Sequence, residues 1–193
     1  MNKDFWNDVL RSGAILGIVM SLSVVFERYV LAFSDMSIMT ASVVYFIEWF
    51  VVMVAFVWLI VFFVRRRGRS YPAEVGFSYS TALSYILMVS MLAGIVVGVA
   101  TTLYINAMGY DNYIEGVIGR MEELVTLYES MGIPSEQTAT FGEYADQMRY
   151  TEQPSILANV FGSLQLYMLA GGIPGLIIAG IVSRRPKLGD FQN

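Results

Sequence analysis

The sequence predicts an all-α integral membrane protein, a four-helix bundle with a periplasmic helical insert between helices three and four, in one membrane domain over residues 1–193. Three observations predict it. Four apolar stretches are long enough to cross hydrocarbon, Lys and Arg gather on one side of the implied layer, and the longest gap carries apolar residues at helical spacing. Composition agrees: 56% of the 193 residues are hydrophobic and 15% charged, with a mean hydropathy of +0.58, more apolar than a soluble domain of this size requires.

Span one runs from about Gly13 to Phe33, span two from Ala41 to Val64, span three from Leu83 to Ile105 and span four from Ile156 to Val182. A crossing of roughly 30 Å needs about 20 such residues. A cleaved signal peptide is the competing reading of span one. Glu27 and Arg28 stand where small cleavage-site residues belong, and Asp4 and Asp8 dilute the basic leader, so the span is read as retained. Lys3 and Arg11 precede span one, Arg65, Arg66, Arg67 and Arg69 follow span two, and Arg184, Arg185 and Lys187 follow span four. All three groups fall on one side. By the positive-inside rule both termini are cytoplasmic.

The insert, about 106–154, holds nine of the sixteen acidic residues and only two bases, Arg120 and Arg149. Ile114, Val117, Ile118, Met121, Leu124, Val125, Tyr128 and Met131 form one amphipathic stripe, stopped by Gly132 and Pro134. Ser135 is read as the N-cap of a second, shorter helix through Phe141, Tyr144, Ala145 and Met148. Two narrow stripes cannot make a core alone, so they must bury against each other, the bundle mouth or a partner. The leading expectation is a structural lid.

Several chemistries are excluded. With no Cys and no His, the chain supplies no disulfide, zinc finger, His-ligated haem, cysteine nucleophile or Ser-His-Asp triad. Neither metal nor cofactor is expected. A net charge of −4 leaves no broad basic surface, which argues against nucleic acid.

Glu27, Arg28 and Glu48 form the intramembrane polar cluster, and a charge in hydrocarbon costs at least a few kcal/mol unless paired, neutralised or hydrated. An Arg28–Glu48 ion pair is the first expectation, with Glu27 facing solvent, bonded to Ser or Tyr groups, or protonated. A structural pair is favoured over a proton or cation relay, because the other half of the spans reads as nearly uniform in aliphatic and aromatic residues. Gly13 and Gly17, Gly94 and Gly98, and Gly171 and Gly175 are small-xxx-small pairs that let helices approach closely. Around Gly171, Gly172, Pro174 and Gly175 a packed kink is favoured over a hinge or broken helix. The patch Arg65, Arg66, Arg67 and Arg69 sets topology, with anionic lipid or a soluble partner as its other use. Residues 71–80, with Pro72 and Gly76, read as a short loop into span three.

Four strings carry a resemblance: Phe5-Trp6 ahead of Ser12-Gly13-Ala14-Ile15-Leu16-Gly17, residues 75–82 (VGFSYSTA) entering span three, the helical insert, and residues 175–182 (GLIIAGIV) closing on Arg184-Arg185-Pro186. On these the chain resembles a family of four-pass bacterial membrane proteins known as domain of unknown function 4199. The resemblance implies the inner membrane of a Gram-negative bacterium and transfers no active-site residue. It also implies a gene encoded nearby, a membrane-associated glycosyltransferase of the polyprenyl-phosphate sugar type, as a candidate protein partner; membrane lipid and further copies of the chain are the other partners expected.

The functional expectation is a non-enzymatic accessory or scaffolding subunit of an envelope-related complex. The alternative is a small-solute or ion transporter or channel using Glu27 and Glu48; a lipid-modifying enzyme stands third, for want of a convergent acid and base pair. A dry bundle centre favours the first and a wet cavity reaching Glu48 the second.

Overall fold

The computed structural model describes residues 3–185, and of 135–137 the backbone alone. Lys187 and Pro186 lie outside the described residues. Six helices follow one another: α1 (Lys3–Phe33), α2 (Ile38–Arg69), α3 (Tyr79–Met108), α4 (Tyr110–Ser130), α5 (Ser135–Arg149) and α6 (Ile156–Val182). Helices α1, α2, α3 and α6 are long and apolar enough to span a membrane, and the protein is an integral membrane four-helix bundle. The first three exceed the apolar stretches read from sequence, because amphipathic turns continue the helix past the hydrocarbon. At 1.5 Å per residue, the 31 residues of α1 reach about 46 Å.

Local chemistry sets the boundaries. Ser37, Ser78 and Ser155 cap α2, α3 and α6 by accepting from the amides of Thr40, Thr81 and Ala158. Gly132, at φ 79°, ends α4 as the following Ile133 amide donates back to Tyr128 O at 3.1 Å. The expected Ser135 cap is displaced by one residue. Pro134 occupies the cap position, at φ −58° and ψ 140°, and Ser135 is the first helical residue, because the proline ring fixes φ near −65° and leaves ψ free to turn the chain into the helix.

Glycine pairs decide the packing. A Cβ on Gly94 would stand 2.7 Å from Ser163 O, and one on Gly98 would stand 2.6 Å from Val160 Cα, so α3 lies directly on the α6 backbone. From the other side, Gly171 faces Ser90 and Gly175 faces Ile86 of α3. Gly172 is only in ordinary contact with Leu87. Gly13 and Gly17 of α1 receive Leu92 and Val96 of α3. Helix α3 is therefore the central rod, flanked by α1 and α6, and α2 lies outermost. Helix α6 runs unbroken through Pro174, not as a broken helix, because its flanking glycines hold it on α3.

Apolar side chains fill the bundle centre: Leu16, Met20, Ile60, Ile86, Val89 and Ala93 are all buried. On the face carrying residues 3 and 185, Phe77 and Arg184 exchange two backbone hydrogen bonds that tie the 70–78 loop to the end of α6. The opposite face carries α4 and α5. Tyr128 packs on Phe141, Arg149 pairs with Glu122 at 2.9 Å, and Gly116 brings α4 against the Ala32 carbonyl of α1.

Candidate functional site

Three polar constellations stand out, one at each face and one within the membrane-spanning region. The first is a clamp between α4 and the α1–α2 turn. The Arg120 guanidinium donates to the carbonyls of Leu31, Ser34 and Met36, to Ser34 Oγ and, at 2.8 Å, to Glu123. Glu123 in turn accepts the Ile38 amide at 2.7 Å. A cation thus meets the carbonyl end of α1 and a carboxylate meets the amide end of α2, each opposite the partial charge that a helix terminus exposes. The Ile38 amide, then Arg120, holds the Glu123 carboxyl below its ordinary value of 4.5.

The sign of the pH dependence follows. A carboxylate whose pKa falls on docking contributes fully above its free value and loses that contribution as pH falls through the docked one. Protection of α4 amides from hydrogen exchange, corrected for intrinsic rate, should weaken below about pH 4.5. Glu123→Gln should flatten that dependence, and an unchanged acid profile in the variant would assign it elsewhere.

The second constellation lies between α1 and α2. The expected Arg28–Glu48 ion pair does not form. Arg28 instead donates to Tyr113 Oη of α4 at 2.7 Å and lies 5.5 Å from that ring's centroid, because α4 packs over the end of α1 and reaches the guanidinium first. Buried beside it, Arg28 Nε and Tyr104 Oη have no hydrogen-bond partner among the described residues. Glu27 accepts from Tyr45 Oη at 3.0 Å, and Glu48 accepts from Ser23 Oγ in a short hydrogen bond. Glu48 also lines an open groove of about 300 Å³ with Phe26, Val44, Ile47, Val51 and Val52.

The third was not read from the sequence. Near the opposite face, Asp8 accepts from Arg66 at 2.5 Å and from Tyr85 Oη at 2.9 Å, and the same hydroxyl lies 2.9 Å from Ser12 Oγ. Tyr85 and Ser12 are fully buried. Asp8 and Ser12 precede the apolar stretch that begins at Gly13 and Arg66 follows the one that ends at Val64, so the group lies at the edge of the spans and divides the basic patch. Arg66 is tied to Asp8, Arg67 lies over the Phe5 and Tyr71 rings, and Arg65 and Arg69 remain exposed. The available signal was Asp8 and Ser12 four residues apart, on the helix face that also carries Phe5 and Val9. Tyr85→Phe should lower stability by about 1–2 kcal/mol, since Asp8 loses a donor while the ring still packs. Thermal unfolding in detergent measures it, and an unshifted midpoint would mean the hydroxyl adds nothing.

These features define a class: a multi-pass helical membrane protein whose fourth and fifth helices cap one mouth of the bundle. Within that class, the chain belongs to the family described as Protein of unknown function (DUF4199), whose model matches residues 11–184. No curated protein and no solved structure matches it.

Proposed function

We propose that the chain is a non-enzymatic accessory or scaffolding subunit of an envelope-related complex in a bacterial inner membrane, with both termini cytoplasmic and the α4–α5 insert periplasmic. One observation carries the reading. The polar group at Ser12 and Tyr85 and the one at Ser23 and Glu48 are separated by eleven residues of α1, roughly 16 Å; buried Leu16, Met20 and Val89 fill that interval, and the buried Ser21 hydroxyl there donates back to the Gly17 carbonyl of its own helix at 2.7 Å. Ser90 Oγ, also buried there, has no hydrogen-bond partner among the described residues. An ion path needs polar groups through the full depth. The arginine-bearing face supports the orientation.

Affinity purification of the full chain in mild detergent should recover a stoichiometric partner, and a membrane-associated glycosyltransferase is the first class to look for. No partner, together with unchanged envelope composition on deletion, would overturn the reading. Proton or solute flux in reconstituted vesicles, abolished by Glu48→Gln, would replace it with the transporter. Orientation is separately testable because the chain has no cysteine. Gly142→Cys, at an insert position with open space around it, should react with an impermeant maleimide added outside spheroplasts. Labelling only after lysis would invert the topology.

A further inference from the structure

The charges between α1 and α2 do not balance. Glu48 lies ten residues, about 15 Å, from the first residue of α2, and Glu27 six residues, about 9 Å, from the last of α1. Both carboxylates receive hydroxyl donors, Ser23 and Tyr45, and among the described residues neither forms an ion pair. Arg28 is turned to Tyr113. Hydroxyls do not neutralise a carboxylate at this depth, where an unpaired charge is disfavoured by at least a few kcal/mol.

Helix α2 is, with α6, one of the two least covered of the four. Along the side of α2 that carries Glu48, Ile47 is 57% exposed, Val51 58% and Trp58 62%, and the α1–α2 seam opens there into the groove at Glu48. We propose that this face of α2 is a docking surface for one transmembrane helix of a partner protein, which carries a Lys or Arg at the depth of Glu48 and an otherwise apolar face. Charge complementarity selects that occupant. Lipid tails carry no cation, and lipid head-group amines stay at the interface. A second copy offers only Arg28 near this level, already held by its own Tyr113. The proposal rests on the accessory-subunit reading and names the surface and chemistry through which that subunit would act.

A photo-crosslinking residue placed at Ile47 or Val51, with Ile177 of α6 as the comparison position, tests it in the membranes of producing cells. The expected result is an adduct from α2 alone, to a protein with a Lys or Arg inside a transmembrane segment. Neutralising that base, or Glu48→Gln, should reduce the adduct about tenfold or more, as expected for loss of a charge-assisted pair. Glu48→Gln keeps an acceptor for Ser23, and an unchanged size-exclusion profile excludes misfolding. Glu48→Lys should abolish capture, and exchange of the partner's base for Glu should restore it. Adducts only to lipid, or only to a second copy, would overturn the proposal. A partner that still co-purifies with Glu27→Gln and Glu48→Gln, and crosslinks from α6 instead, would leave the accessory-subunit reading standing and remove this surface from it.

Discussion

Gly98→Ala is expected to destabilise the bundle by about 2–3 kcal/mol, the upper range for overpacking, because the added methyl meets backbone. Its Cβ would stand 2.6 Å from Val160 Cα and 2.9 Å from Asn159 O, and neither can rotate away as a side chain would. The helices must separate, and each ångström of separation forfeits dispersion contacts along the whole seam. The gain in helix propensity, about 1 kcal/mol, offsets only part of this. Gly180→Ala on α6 supplies the control, with the same propensity gain and nothing within 4 Å of the new methyl. It should be neutral or slightly stabilising. Thermal unfolding in detergent distinguishes them, and equal midpoints would show that α3 and α6 do not depend on close backbone approach.

Arg120→Ala is expected to release the insert while the four spanning helices stay assembled. One guanidinium, with its side chain only 11% exposed, serves three carbonyls, a hydroxyl and Glu123. Hydrogen bonds to a charged group contribute about 1.5–3 kcal/mol each and do not add, so a loss of about 3 kcal/mol in docking is the scale. Limited proteolysis should then cut near 131–134 and 150–155. Gly116→Ala should reach the same end by another route, since a methyl there collides with the Ala32 carbonyl. Arg149→Ala removes only exposed pairs, with Glu122 and Asp146, each worth less than about 1 kcal/mol, and should leave the cleavage pattern unchanged. Identical patterns for Arg120→Ala and the parent chain would show that apolar contact alone holds the cap.

Much of the fold was legible because its signals are short-range. Apolar runs of spanning length, the amphipathic stripe of α4 and the Gly132–Pro134 stop are all patterns between residues near in the chain. The small-xxx-small pairs marked which faces could pack closely, though not which helix would meet which. The candidate site was legible only in part. Glu27, Arg28 and Glu48 were found from the expense of charge in lipid, and Glu27 meets a tyrosine as one of its expected alternatives, yet the Arg28–Glu48 pairing was misassigned. Tyr113 comes to Arg28 from 85 residues away, Tyr85 to Asp8 from 77, and Arg120 to Leu31 from 89. A lone base among the acids of α4 was the one available hint of the clamp.

By itself, then, the sequence determined four spanning helices, an insert of two amphipathic helices and a charge asymmetry between the faces, all consequences of hydropathy and helical period. Only the tertiary structure decided that α3 is the central rod, that α4 sits over the α1–α2 turn and that two glutamates form no ion pair among the described residues. Those outcomes depend on how each helix is rotated and shifted against its neighbours. That choice belongs to interdigitating surfaces far apart in the chain, and no local propensity encodes it.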